Sequence, residues 1–139
     1  MAVALLDSPA VVAYLVEGDA LHGSAADAIE STMRSGTSLA ISAVTWSETL
    51  HGALLGHFPE EHLREFVEDF GIAILGVDVE VAEQAAALQK AYRRTGRLRT
   101  PDALILGTSL AYGDVEKVIC GDEQWAKVPG VRAEVVRLG

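Results

Sequence analysis

The sequence has one cysteine in 139 residues, so no intramolecular disulfide can form, and a reducing compartment is the simplest setting. No basic segment precedes the apolar N-terminal stretch, and Asp7 interrupts it, which argues against a signal peptide. No apolar run approaches the ~18 residues of a membrane span. Together these absences predict a soluble, cytoplasmic protein. There is no GxxxxGK[ST] loop to cradle a nucleotide triphosphate. His22, His51, His57 and His62 form no HExxH zinc motif, and the single Glu48-x-x-His51 falls short of the two such pairs a di-iron bundle needs. Positive charge is scarce: 11 Lys and Arg against 20 Asp and Glu leave a net charge of −9, which taken alone disfavours nucleic acid.

The few basic residues are unevenly placed. Residues 90–99, KAYRRTGRLR, hold Lys90, Arg93, Arg94, Arg97 and Arg99, five of the eleven. One reading is a solvated helix end, where cations suit the helix dipole and Gly96 marks the stop. The other is a phosphate-binding patch of Arg93, Arg94, Arg97 and Arg99 on an otherwise acidic protein.

The length suits a single domain over residues 1–139. Short apolar runs at 2–6, 37–41, 72–77, 117–120 and 131–136 read as strands. Between them lie helical stretches with recognisable starts: Ser8 with Pro9, Ser42, Pro59, Asp78, and Thr100 with Pro101. Strands alternating with helices predict an α/β fold with a mostly parallel sheet. In the helix from Ser42, Val44, Leu50, Ala53 and Leu54 are the expected buried positions. The helix after Ser8, AVVAYLV, is apolar nearly all round. A sheet covers one side of such a helix, and a second subunit is a candidate for the other.

In open α/β sheets, ligands bind beyond the carboxyl ends of the strands. Four acids stand near those ends: Asp7 after the first strand, Glu48 in the helix after the second, Asp102 in the first turn of the Thr100 helix, and Asp122 after KVIC. Each also has a plain structural reading. Asp7 and Asp102 suit helix N-termini, Thr45-x-x-Glu48 matches a capping box, and Asp122 suits a turn. If the four share one edge, their mutual repulsion requires a cation. An all-oxygen ligand set favours Mg²⁺ or Mn²⁺ over zinc. Such a site suits hydrolysis of a phosphodiester. Cys120 reads as a buried strand residue rather than a nucleophile.

The segments SAVTWSETLHG, RTPDALILGTSL and VICGDEQWAKVPGV, with VALLD at the start, resemble the PIN-domain ribonucleases, in particular the VapC-type toxins of bacterial toxin–antitoxin pairs. The similarity spans nearly the whole chain. It implies a three-layer α/β/α fold, a homodimer, and a Mg²⁺- or Mn²⁺-dependent endoribonuclease. Asp7, Glu48, Asp102 and Asp122 would match the family's acidic quartet, holding the metal and acting in catalysis. The implied partners are an RNA substrate and a small antitoxin. The chain departs from the family pattern at Pro9, where a Ser or Asn is usual, at Cys120, where many members have Thr, and at Gln124, where many have Asp. Glu123 is the alternative to Asp122. The rival from another class is a non-catalytic PIN-like module whose acidic pocket binds a partner protein. A HAD-type phosphohydrolase is disfavoured, because Pro9 occupies the place of its second aspartate.

Overall fold

The computed structural model describes residues 1–139. Five short apolar segments form one sheet: β1 (Val3–Leu6), β2 (Ser38–Ser42), β3 (Ala73–Leu75), β4 (Val115–Cys120) and β5 (Glu134–Arg137). The strand order is β3-β2-β1-β4-β5, and every neighbouring pair is parallel. Parallel neighbours cannot be joined by a hairpin, so each step needs a crossover. Helices α1 (Ser8–Leu15) and α2 (His22–Arg34) lie between β1 and β2, α3 (Ala43–Leu54) and α4 (Glu60–Asp69) between β2 and β3, and α5 (Val79–Tyr92) and α6 (Thr100–Ala111) between β3 and β4. A short 3₁₀ turn, Trp125–Lys127, lies between β4 and β5.

Alternation along β1 builds the layers. Ala4 and Leu6 join an apolar cluster with Val11, Ile29 and Leu63 from α1, α2 and α4. Leu5 points the other way, into a cluster with Leu88 and Leu106 from α5 and α6. Leu5 and Leu6 are both fully buried, which stabilises the fold by about 1.5–3 kcal/mol for each. The result is the expected three-layer α/β/α arrangement.

The details correct several expectations. Asp7, not Ser8, caps α1: its Oδ1 accepts from the Ala10 N–H at 2.7 Å, and Ser8 becomes the first helical residue. Thr100 does not cap α6. The cap position falls on Arg99, and the Thr100 hydroxyl instead accepts from Gln89 Nε2 at 3.3 Å. Ser42 does cap α3, accepting from the Val44 N–H at 3.0 Å. Thr45 is therefore buried inside the helix, and no capping box with Glu48 forms. The buried face of α3 is Thr45, Thr49 and Ala53, while Leu54 is 68% exposed. Thr49 Oγ1 donates to the Thr45 carbonyl at 2.8 Å, whereas the buried Thr45 hydroxyl has no hydrogen-bond partner. Helix α1 packs within the chain against α2, α3 and α4, which buries Ala10, Val11 and Ala13 and leaves Val12, Tyr14 and Leu15 half-buried.

Helices α5 and α6 touch through a glycine. A Cβ on Gly107 would lie 2.8 Å from the Val81 carbonyl oxygen and 3.0 Å from the Ala85 nitrogen, both backbone atoms. Gly107→Ala would gain about 1 kcal/mol in helix propensity, but overpacking costs about 1–3 kcal/mol. The helices must part to admit the methyl. We expect Gly107→Ala to lower stability by roughly 1 kcal/mol net in urea unfolding; a more stable variant would show that the seam has slack.

Candidate active site

The strand order reverses beside β1: β2 and β3 extend to one side, β4 and β5 to the other. A crevice opens at such a switch point, beyond the carboxyl ends of the strands. Asp7 directly follows β1, and Gly121 and Asp122 directly follow β4. Asp102 arrives in the first turn of α6 and Glu48 in the second turn of α3. All four line one cavity of about 460 Å³, together with Asp19, Ser8, Pro9, Val12, Leu21, Ile105 and Trp125. Five carboxylates and no basic side chain line it.

Three of the four predicted acids are held by hydrogen bonds. Asp7 is almost fully buried, with Oδ1 bound by the Ala10 N–H and Oδ2 by the Gly121 N–H at 3.0 Å. Glu48 Oε1 accepts from the Ser8 hydroxyl at 2.6 Å. Asp122 Oδ1 accepts from the Gln124 N–H at 2.8 Å. Each carboxylate offers about four lone-pair sites, so every one keeps acceptor capacity toward the cavity.

The cavity works against its own charge. Burial raises Asp7 to about 7; the Ala10 and Gly121 N–H groups pull it down, and the charges of Asp102 and Asp122 push it up again. Asp102 is also raised, first by burial and then by Asp122 and Glu48, with Arg99 acting in the opposite sense. Repulsion of this kind is relieved by a bound cation. No three His, Cys, Asp or Glu side chains stand close enough together to chelate one ion. That spacing does not suit a closed zinc or calcium cage. Mg²⁺, which keeps several waters and uses one or two carboxylates plus substrate phosphate, needs no such cage. The donor chemistry therefore fits a hard divalent ion of the Mg²⁺ or Mn²⁺ type.

Other candidates fall outside the cavity. Glu123 turns away to pair with Arg137 at 3.4 Å, which leaves Asp122 as the acid at this corner. Arg93, Arg94, Arg97 and Arg99 are exposed after the end of α5, with Arg99 at the N-cap position of the helix that carries Asp102 and no side-chain capping bond. His51 is exposed on α3 and does not line the cavity. Cys120 is fully buried; burial pushes its thiol up to about 12, and its Sγ donates to the Asp122 carbonyl at 3.4 Å. It steadies the corner and is no nucleophile. Sequence reasoning missed Asp19 as a cavity residue, since a loop acid in VEGDALHG carries no motif. It also took Ser8 for a cap, when its hydroxyl faces Glu48.

An all-parallel α/β/α protein with an acidic, base-free crevice at the switch point of its sheet is the class these observations define. The sequence pattern of the PIN domain matches residues 4–131, and the chain belongs to the PIN-domain family. No curated protein sequence matches it at a significant level. Among solved structures, VapBC2 from Rickettsia felis, bound to a DNA fragment from its promoter, is similar over 99% of both chains, with a TM-score of 0.76 and 13% identity. A toxin–antitoxin complex from Klebsiella pneumoniae is 27% identical over 96% of this chain and 95% of that one, with a TM-score of 0.68. VapC20 from Mycobacterium tuberculosis, a sarcin–ricin loop cleaving toxin, is 16% identical over 93% and 98%, with a TM-score of 0.70.

The raised Asp7 has a sign that can be checked. Its carboxyl sits near 7 in the folded protein against 3.8 in the unfolded chain. Folding therefore favours the protonated form. This contribution is complete below the unfolded value and is lost as pH rises through about 7. Its ceiling is of order 4 kcal/mol. In chelator, the thermal midpoint of the wild type should fall between pH 5 and 8, and Asp7→Asn should flatten that part of the profile. An equal slope in both proteins would rule out Asp7 as its source.

Proposed function

We propose that this protein is a divalent-cation-dependent endoribonuclease and the toxin of a toxin–antitoxin pair. The observation that carries the reading is the gathering of Asp7, Glu48, Asp102 and Asp122 around one base-free cavity. Membership of the PIN-domain family supports it, as do structural neighbours that are toxin–antitoxin complexes. Asp7, Asp102 and Asp122 would hold Mg²⁺ or Mn²⁺ directly or through its water shell, with Glu48 either a further ligand or the group that orients the attacking water; the ion, when bound, would neutralise charge on the phosphate and ease deprotonation of water.

The chain's own residues supply position and proton handling. The two backbone N–H groups on Asp7 fix the deepest carboxylate. Ser8 holds one Glu48 oxygen and leaves the other free to orient the attacking water and take its proton. The water oxygen bonds to phosphorus, the P–O3′ bond breaks, and a proton reaches O3′, leaving a 5′-phosphate and a 3′-hydroxyl. The arginines upstream of Asp102 grip flanking phosphates. The cognate antitoxin is the expected protein partner, and an empty acidic cavity of this kind would attract a basic side chain from it. Homodimerisation rests on the family resemblance.

Purified protein incubated with total RNA should cut it in Mg²⁺ or Mn²⁺, and chelator should stop cleavage. Asp102→Asn should lose at least roughly 100-fold in rate. Titration with Mn²⁺ separates the rival, a non-catalytic module: a nuclease site binds Mn²⁺ and loses it in Asp7→Asn, whereas a partner-binding pocket need not bind it at all. Reversing the charge of Arg93, Arg94, Arg97 and Arg99 should weaken RNA binding and flatten its salt dependence by about 0.7 for each phosphate no longer neutralised; an unchanged slope would exclude the basic stretch as the grip.

A further inference from the structure

Asp19 lines the same cavity as the four acids but has no part in the steps above. It sits in the turn between α1 and α2, fixed by three hydrogen bonds. Its N–H donates to the Val16 carbonyl at 3.0 Å, its Oδ1 accepts from the Leu21 N–H at 2.8 Å, and its carbonyl accepts from the His22 N–H at 3.0 Å. A carboxylate held this way does not swing into the acid cluster. The charges that raise Asp7 and Asp102 come from Asp102, Asp122 and Glu48, and Asp19 is not among them. It shares the cavity without belonging to the ion-holding group, and its Oδ2 is left free to accept.

The wall beside Asp19 is apolar. A methyl on Gly121 would lie 3.0 Å from Pro9 Cβ and 3.7 Å from Leu21 Cδ1, so Pro9 and Leu21 close in together around Gly121. Val12 lines the same cavity. This shelf runs up to the residue whose N–H holds Asp7. A flat group with weakly hydrated faces and polar edges matches such a shelf, and in single-stranded RNA that group is the base.

We propose that Asp19 is a specificity-determining residue, which reads a base flanking the scissile phosphate. The base lies against Pro9, Val12 and Leu21, and Asp19 Oδ2 accepts a hydrogen bond from its amino group. Cytosine, adenine and guanine carry an amino group on the Watson–Crick edge. Uracil has a carbonyl oxygen where cytosine has its amino group and offers a carboxylate only its N3–H, flanked by two acceptor oxygens that repel it, so it is the poorest partner of the four bases. Loss of one such bond at a buried edge corresponds to discrimination of roughly tenfold or more.

The inference rests on the ribonuclease reading, and the test lets the two fail separately. A random-sequence single-stranded RNA pool is cut by wild type, Asp19→Asn and Asp19→Ala, and the bases on both sides of each cut are sequenced. Asp19→Asn keeps an oxygen for the Leu21 N–H, and thermal melting together with Mn²⁺ affinity verifies that each variant is folded with its ion site in place. Wild type should disfavour uracil by roughly tenfold at one position beside the cut, and both variants should lose most of that bias. An unchanged bias in the variants overturns the inference, and so does a wild type with no bias. Uniform loss of cleavage at every sequence by folded Asp19→Asn also overturns it, since Asp19 would then belong with the catalytic acids. A wild type that cuts no RNA with either cation defeats the ribonuclease reading itself and this inference with it.

Discussion

The Asp7 carboxylate, clamped between two backbone N–H groups, is the contact on which the rest of the molecule turns. One N–H belongs to the first turn of α1 and the other to the residue just past β4. A single side chain thus joins the end of the central strand, the start of the first crossover helix, and the neighbouring strand across the switch point. The two hydrogen bonds partly offset a severe desolvation. A shorter or apolar residue at this place would leave two buried N–H groups without partners and the crevice without a floor. The carboxylate that the site needs is also the group that ties the topology together.

Much of this was readable in the sequence, for reasons that can be named. Strand and helix order followed from apolar runs separated by Ser, Pro, Asp and Gly, because those residues act within a few positions of themselves. The four acids were legible because each sits at an element boundary, and boundaries on one sheet edge converge. What escaped depends on contacts between distant segments. The Ser8 to Glu48 hydrogen bond spans forty residues, and nothing local distinguishes it from a cap. Leu54 looked like core because it is apolar, yet α3 buries Thr45, Thr49 and Ala53 instead, and of the two threonines only Thr49 bonds back to its own helix. Asp19 was invisible because a turn between helices has no sequence periodicity, and only the folded chain shows which cavity it faces.

Charge is separated sharply in this protein. The cavity holds carboxylates alone, while the basic stretch stands outside it, linked through Arg99 at the start of α6. Tyr92 keeps that loop in order. Its ring packs so closely on Gly96 that a Cβ there would sit 2.6 Å from it, and its hydroxyl reaches Gln124 at 3.4 Å. The substitution at Gln124, a departure from the family pattern, is thus tied to the arginine loop. A polyanion approaching this surface meets attraction at the rim and repulsion within, and a hard cation reverses the inner sign.

The clamp also imposes an order in time. Asp7 is made well before its second donor, Gly121, which lies 114 residues further along the chain. Helices and early strand pairs can condense while translation continues, whereas contacts of such separation close late. The crevice has no complete wall until β4 has left the ribosome and slid in beside β1. A growing polypeptide of this kind therefore carries an incomplete acidic crevice until the segment with Asp122 has been made and docked.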